Sequence, residues 1–86
     1  MASKKTIEVS VLNQNGVLYQ GSCQVLFVPT EKQEVAILPE HTPLILLLSS
    51  GEVSVVVEGS KRVVGRAVSG LVYVGENMAS VLLNSD

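Results

Sequence analysis

Ile7-Glu8-Val9-Ser10-Val11 alternates apolar and polar side chains, and the tetrad Asn13-Gln14-Asn15-Gly16 lies just beyond it. A period of two puts one set of side chains on each face of an extended chain, the pattern of a half-buried β-strand. Asn and Gly accept positive φ at low cost, so the tetrad predicts a tight reversal. Val17 to Gln20 then reads as a return strand ending at Gly21. This stretch therefore predicts a β-hairpin.

The same reading extends along the chain. Gln24 to Val28 is a strand stopped by Pro29, and the polar segment Thr30 to Gln33 is a turn. Val35 to Leu38 is short and apolar and is closed by Pro39. Leu44 to Leu48 follows Pro43 and ends at Ser49-Ser50-Gly51. Glu52 to Glu58 alternates around Val53, Val55 and Val57, with Gly59-Ser60 as the next turn. Lys61 to Val68, Leu71 to Val74 and Met78 to Leu83 complete the series, separated by Gly70 and Gly75-Glu76-Asn77. No window repeats apolar residues at helical spacing, and β-branched side chains lose χ1 freedom in a helix. Eight or nine short strands with frequent turn signals predict an all-β sandwich or small barrel of one domain, residues 1–86. Leu44 to Leu48 lacks alternation, which predicts that both faces of that strand are covered. An uncovered edge of that composition would invite aggregation.

Composition narrows the function. The 86 residues include sixteen Val, eleven Leu and three Ile, while only 16% are charged, against about 25% in an ordinary soluble domain. A disordered chain would be poorer in aliphatics and richer in charge. The net charge of −2 and basic groups no larger than Lys4-Lys5 and Lys61-Arg62 argue against a nucleic-acid partner. The longest apolar run, Leu44 to Leu48, is far short of the roughly 20 residues of a membrane helix. Cys23 has no second cysteine to pair with, which fits a reducing, cytosolic-side location.

Catalytic chemistry is thinly provided. His41 is the only histidine, so a zinc site lacks its ligands. A Cys23/His41 nucleophile pair is formally available, but Cys23 sits near a strand start, where small cysteines fill cores. Gly65 and Gly70 are spaced like the ends of a phosphate loop, yet Leu71-Val72 stands where Lys-Ser/Thr is required. A bulge or a tight strand connection explains them better. The segment Ile37-Leu38-Pro39-Glu40-His41-Thr42-Pro43-Leu44-Ile45 carries more information. Its two prolines force an extended, bent loop that holds His41 between two apolar strands. His41 then either bonds to backbone in a structural corner or faces a partner from a rigid loop.

That corner resembles the Pro-Gly-His-Ala-Pro-Leu segment of the epsilon subunit of the rotary F-type ATP synthase (delta in mitochondria). The likeness continues through Val17-Leu18-Tyr19-Gln20-Gly21, Ser50-Gly51-Glu52-Val53-Ser54-Val55, Val68-Ser69-Gly70-Leu71-Val72-Tyr73-Val74 and the strand from Asn77 to Leu83. Glu40 and Thr42 stand where the family has Gly and Ala. Leu71 stands where it has a second Gly, and Gln33-Glu34-Val35-Ala36 where it has Gly-Glu-x-Gly.

The resemblance implies a flattened ten-stranded β-sandwich with no catalytic, cofactor or metal site. It implies a rotor subunit that couples rotation to ATP synthesis, peripheral on the cytoplasmic side of an energy-transducing membrane (matrix or stroma if organellar) and not inserted in it. Ser10, Pro39, His41, Thr42 and Leu46 would face the gamma shaft, and Gln33 and Glu34 the polar loops of the c-ring. The family usually continues into a two-helix hairpin that can inhibit hydrolysis. The sequence ends at Asp86, so the expectation is coupling without that brake. The alternative reading is a free-standing β-sandwich binding module that uses the Pro39–Pro43 corner.

Overall fold

The computed structural model describes residues 5–85, which form nine β-strands and no helix. They are β1 (Ile7–Asn13), β2 (Gly16–Cys23), β3 (Val25–Pro29), β4 (Glu34–Ile37), β5 (Leu44–Leu48), β6 (Gly51–Val57), β7 (Ser60–Ala67), β8 (Ser69–Gly75) and β9 (Met78–Asn84). Each segment with period two is a strand. The count is nine rather than the ten of the family resemblance; residues 38–43, held bent by Pro39 and Pro43, add no strand. The strands make two sheets, ordered β2-β1-β9-β8-β5 and β4-β3-β6-β7. Most neighbours are antiparallel as expected, but β1 and β9 pair in parallel, closing the first sheet between the two ends of the fold.

The two inner faces share one aliphatic core. Ile7, Val9, Val11, Val72, Val74 and Val81 come from the first sheet, and Leu26, Val28, Ile37, Val53 and Val55 from the second; all are buried. Burying each such side chain stabilises the fold by roughly 1.5–3 kcal/mol. That density of β-branched residues is how a small chain with almost no aromatic side chains closes a core.

Two glycines show how tightly the layers fit. In β7 the register slips opposite Val53 and Ser54, and Gly65 stands at this bulge. A Cβ there would lie 2.9 Å from Leu83 Cδ1 and 3.0 Å from Leu18 Cδ1. A Cβ on Gly70 would lie 2.5 Å from the carbonyl oxygen of Leu82. The bulge and tight-packing reading of these two glycines is therefore the structural one.

One expectation fails. β5 is an edge strand, not a strand covered on both faces. Its run of aliphatics alternates in burial: Leu48 is buried, Leu44 and Leu46 are half-buried against the core, and Ile45 and Leu47 are 64% and 78% exposed. An all-apolar strand carries no polar residues to mark its outer face, so the period-two signal is silent there. No helix among the described residues is long and apolar enough to cross a membrane.

Candidate functional site

Side chains alternate along each strand, so the register of the five-stranded sheet fixes which residues meet on its solvent side. Leu47 on β5 is opposite Leu71 on β8, and Leu71 is opposite Leu82 on β9. Leu82 is level with Leu12 on β1, which is opposite Val17 on β2. An unbroken aliphatic row thus crosses all five strands, with Leu82 52% and Val17 59% exposed. Two residues along, a second row runs Ile45, Tyr73, Ser80, Ser10, Gln20. A third holds Gly75, Met78, Glu8 and Ser22. Among the described residues of these rows Glu8 is the one acidic or basic side chain, and Ser22 Oγ donates a hydrogen bond to it. The face therefore grades from aliphatic at one end to polar at the other.

The polar end abuts the proline corner. Glu40 has φ 61°, in the left-handed region that glycine adopts most easily. Its N–H donates to Asn77 Oδ1 at 2.7 Å, and its carboxylate pairs with Lys5 at 3.3 Å. Asn77, itself at φ 57°, also donates from Nδ2 to the carbonyl of Thr6 at 2.9 Å, and its own carbonyl accepts from Glu8 N–H at 3.3 Å. One asparagine so ties the corner, the β8–β9 turn and the start of β1 together. His41 is half-buried, and its Nδ1 donates to the carbonyl of Thr42 at 2.7 Å. Pro39 is half-buried and Thr42 exposed on the same loop.

The sequence-predicted residues fall into separate places. Ser10 lies in the middle of the outer face, half-buried between Ser80 and Gln20. Leu46 does not share that face: it is level with buried Val72 and packs on the core. Its neighbours Ile45 and Leu47 are the β5 residues that join Ser10 outside. Leu46 instead lines a hollow of about 320 Å³ together with Gln33, Thr30, Glu31, Lys32, Val35 and Leu47. Gln33 closes the turn there, its N–H donating to Thr30 Oγ1 at 3.2 Å. Glu34 pairs with Lys61 at 3.5 Å on the outer face of the four-stranded sheet. That lysine also lies 4.2 Å over the ring of Phe27.

Sequence reasoning missed Asn77, Leu71, Tyr73 and Leu82 as members of the surface. Leu71 carried a signal, since the resemblance puts a glycine at its position. The alternation of β9 carried another, since Met78 and Leu82 share the face opposite to buried Ala79, Val81 and Leu83. Cys23 is buried, and burial pushes its thiol up to about 11, which keeps it protonated and a poor nucleophile near neutral pH.

The sequence matches the family described as ATP synthase, Delta/Epsilon chain, beta-sandwich domain, over residues 6–85. It is 34% identical over 77 residues to the ATP synthase epsilon chain of Shouchella clausii, covering 90% of this chain and 57% of that one. It is 31% identical over 80 residues to the epsilon chain of Acidithiobacillus ferridurans, covering 93% and 56%. The chain thus spans little more than half the length of these curated relatives. Among solved structures, a chain of the Euglena gracilis mitochondrial ATP synthase (OSCP/F1/c-ring) superposes with a TM-score of 0.80 at 17% identity, covering 96% of this chain and 52% of that one. A chain of the Tetrahymena thermophila mitochondrial ATP synthase central stalk/c-ring gives 0.75 at 14% identity, covering 98% and 67%.

Proposed function

The chain belongs to the β-sandwich family of the ATP synthase delta/epsilon chain, and we propose that it is a non-catalytic part of the rotor, seated between the gamma shaft and the c-ring. The observation that carries this reading is the outer face of the five-stranded sheet. An aliphatic row open to water across five strands is costly for an isolated domain and favourable for one clamped against a partner. Ser10, Ile45, Leu47, Leu71 and Leu82 would meet the shaft. The corner with Pro39, His41 and Thr42 would border that contact, with its backbone held by Asn77. Leu46 supports it from beneath by fixing β5 on the core.

The turn with Gln33 and Glu34 lies at the other end of β4 from the corner, and we assign it to the polar loops of the ring. Glu34 already has a cationic neighbour in Lys61, so a ring contact there would exchange one exposed ion pair for another. Such pairs contribute about 0.2–1 kcal/mol, so the apolar face dominates affinity. The protein would then sit peripherally at the membrane, on the side where the shaft emerges, and transmit torque without chemistry of its own.

Calorimetric titration of the chain into purified gamma subunit tests this. Replacing Leu71 and Leu82 together by Lys is expected to weaken binding by at least about 30-fold while the circular dichroism is unchanged. Val63→Lys, on the outer face of the other sheet, is expected to leave affinity as it was. Full affinity in the double variant would overturn the assignment of the face.

A further inference from the structure

The two sheets have four edge strands, β2, β5, β4 and β7. Three of them carry the features that keep edges from pairing. β2 faces a register shift at Val11/Leu12 and includes Gly16 and Gly21. β4 is four residues long, starts with Glu34 and runs into Leu38-Pro39. β7 carries a bulge and the charges of Lys61, Arg62 and Arg66. β5 is guarded least: Pro43 precedes it, but within its five residues there is no bulge, glycine or charge. Leu44 to Leu48 is unbulged, uncharged and free of proline, and makes no backbone hydrogen bond beyond its ladder with β8 among the described residues.

We propose that this edge pairs with a second copy of the chain, β5 against β5, antiparallel about a two-fold axis through Leu46. The strand is chemically self-complementary about that residue. Antiparallel pairing puts Leu44 opposite Leu48 and Ile45 opposite Leu47, so the two most exposed aliphatics of the strand cover each other. No like charges meet within the strand. The rim of the adjoining hollow adds one acid and one base, Glu31 and Lys32, which are compatible with their own copies. The partner strand lies across the mouth of this hollow, shielding Leu46 and Val35 from water. The contact is isologous and consumes the least guarded edge of each copy, so it closes at a dimer and does not grow. A five-residue edge buries less than a standard interface, so the dimer is weak and forms only at high concentration. This pairing needs no shaft, but it covers Ile45 and Leu47, which the rotor reading gives to the shaft, so the two contacts exclude each other.

Sedimentation equilibrium of the chain over a range on the order of 10 µM to 1 mM tests it. The expected mass rises toward twice the 9.1 kDa of the chain, and Leu47→Lys holds it at the monomer value. Leu82→Lys, on the same face but two strands from the edge, is expected to dimerise as the parent does. Hydrogen exchange supplies a second reading: alternate amides of Leu44 to Leu48 gain protection as concentration rises. A monomer throughout would overturn the proposal. Equal loss of dimer in Leu82→Lys would overturn it in favour of face stacking, and growth past the dimer would refute closure.

Discussion

The two outer faces of the sandwich solve the same problem differently. On the four-stranded sheet the aromatic ring of Phe27 lies beneath Lys61, which also pairs with Glu34, and Arg66 pairs with Glu52 at 2.7 Å. Charged side chains with long aliphatic stems there cover the apolar surface and keep it in water. The five-stranded sheet presents Leu47, Leu71, Leu82 and Val17 with no such cover. The two inner faces are equally aliphatic, so the difference is not a matter of core strength. It shows which side of a small sandwich the chain covers with its own charged side chains and which it leaves open.

The sharpest way to break this comparison is from inside. If the first sheet were open because it is loosely packed, Gly70→Ala would be tolerated. The 2.5 Å approach to the Leu82 carbonyl requires instead that the β8–β9 ladder shift, at a cost of about 2–3 kcal/mol in urea unfolding. Asn77→Ala comes next. It removes two side-chain hydrogen bonds and the residue type that best tolerates a left-handed turn, for about 1–2 kcal/mol. Faster amide exchange at Glu40 would be the local sign that the corner has come loose from the sheet. Lys61→Ala on the opposite face should cost least, about 0.5–1 kcal/mol, through the lost Phe27 and Glu34 contacts. Part of that loss should disappear in high salt, and gamma affinity should not change. A larger effect on binding than on stability would mean that the charged face also serves a partner.

Much of the fold was legible because the signal is local. Most strands announced themselves by alternation or as short apolar runs, and the hairpins by Asn, Gly or Pro. The corner was legible through its two prolines, and the chemistry of Glu40 was not. A glutamate at a position of positive φ costs about 1 kcal/mol by itself. What offsets this is the Asn77 acceptor, which lies 37 residues away in sequence. The side on which Leu46 lies was not legible for a related reason. In Leu44-Ile45-Leu46-Leu47-Leu48 every position is apolar, so the run shows that it is a strand without showing which side is in.

By itself the sequence determined that the chain is all-β, that it buries an aliphatic core, and which proline corner marks its family. These follow from periodicity and backbone restriction, which act within a few residues. Only the tertiary structure decided that β1 lies parallel to β9, that β5 is an edge, and that Leu47, Leu71, Leu82, Leu12 and Val17 stand in one row. Those residues come from five strands spread over most of the chain. Their alignment is a property of register, and register is set by how two inner faces pack, which no single strand encodes.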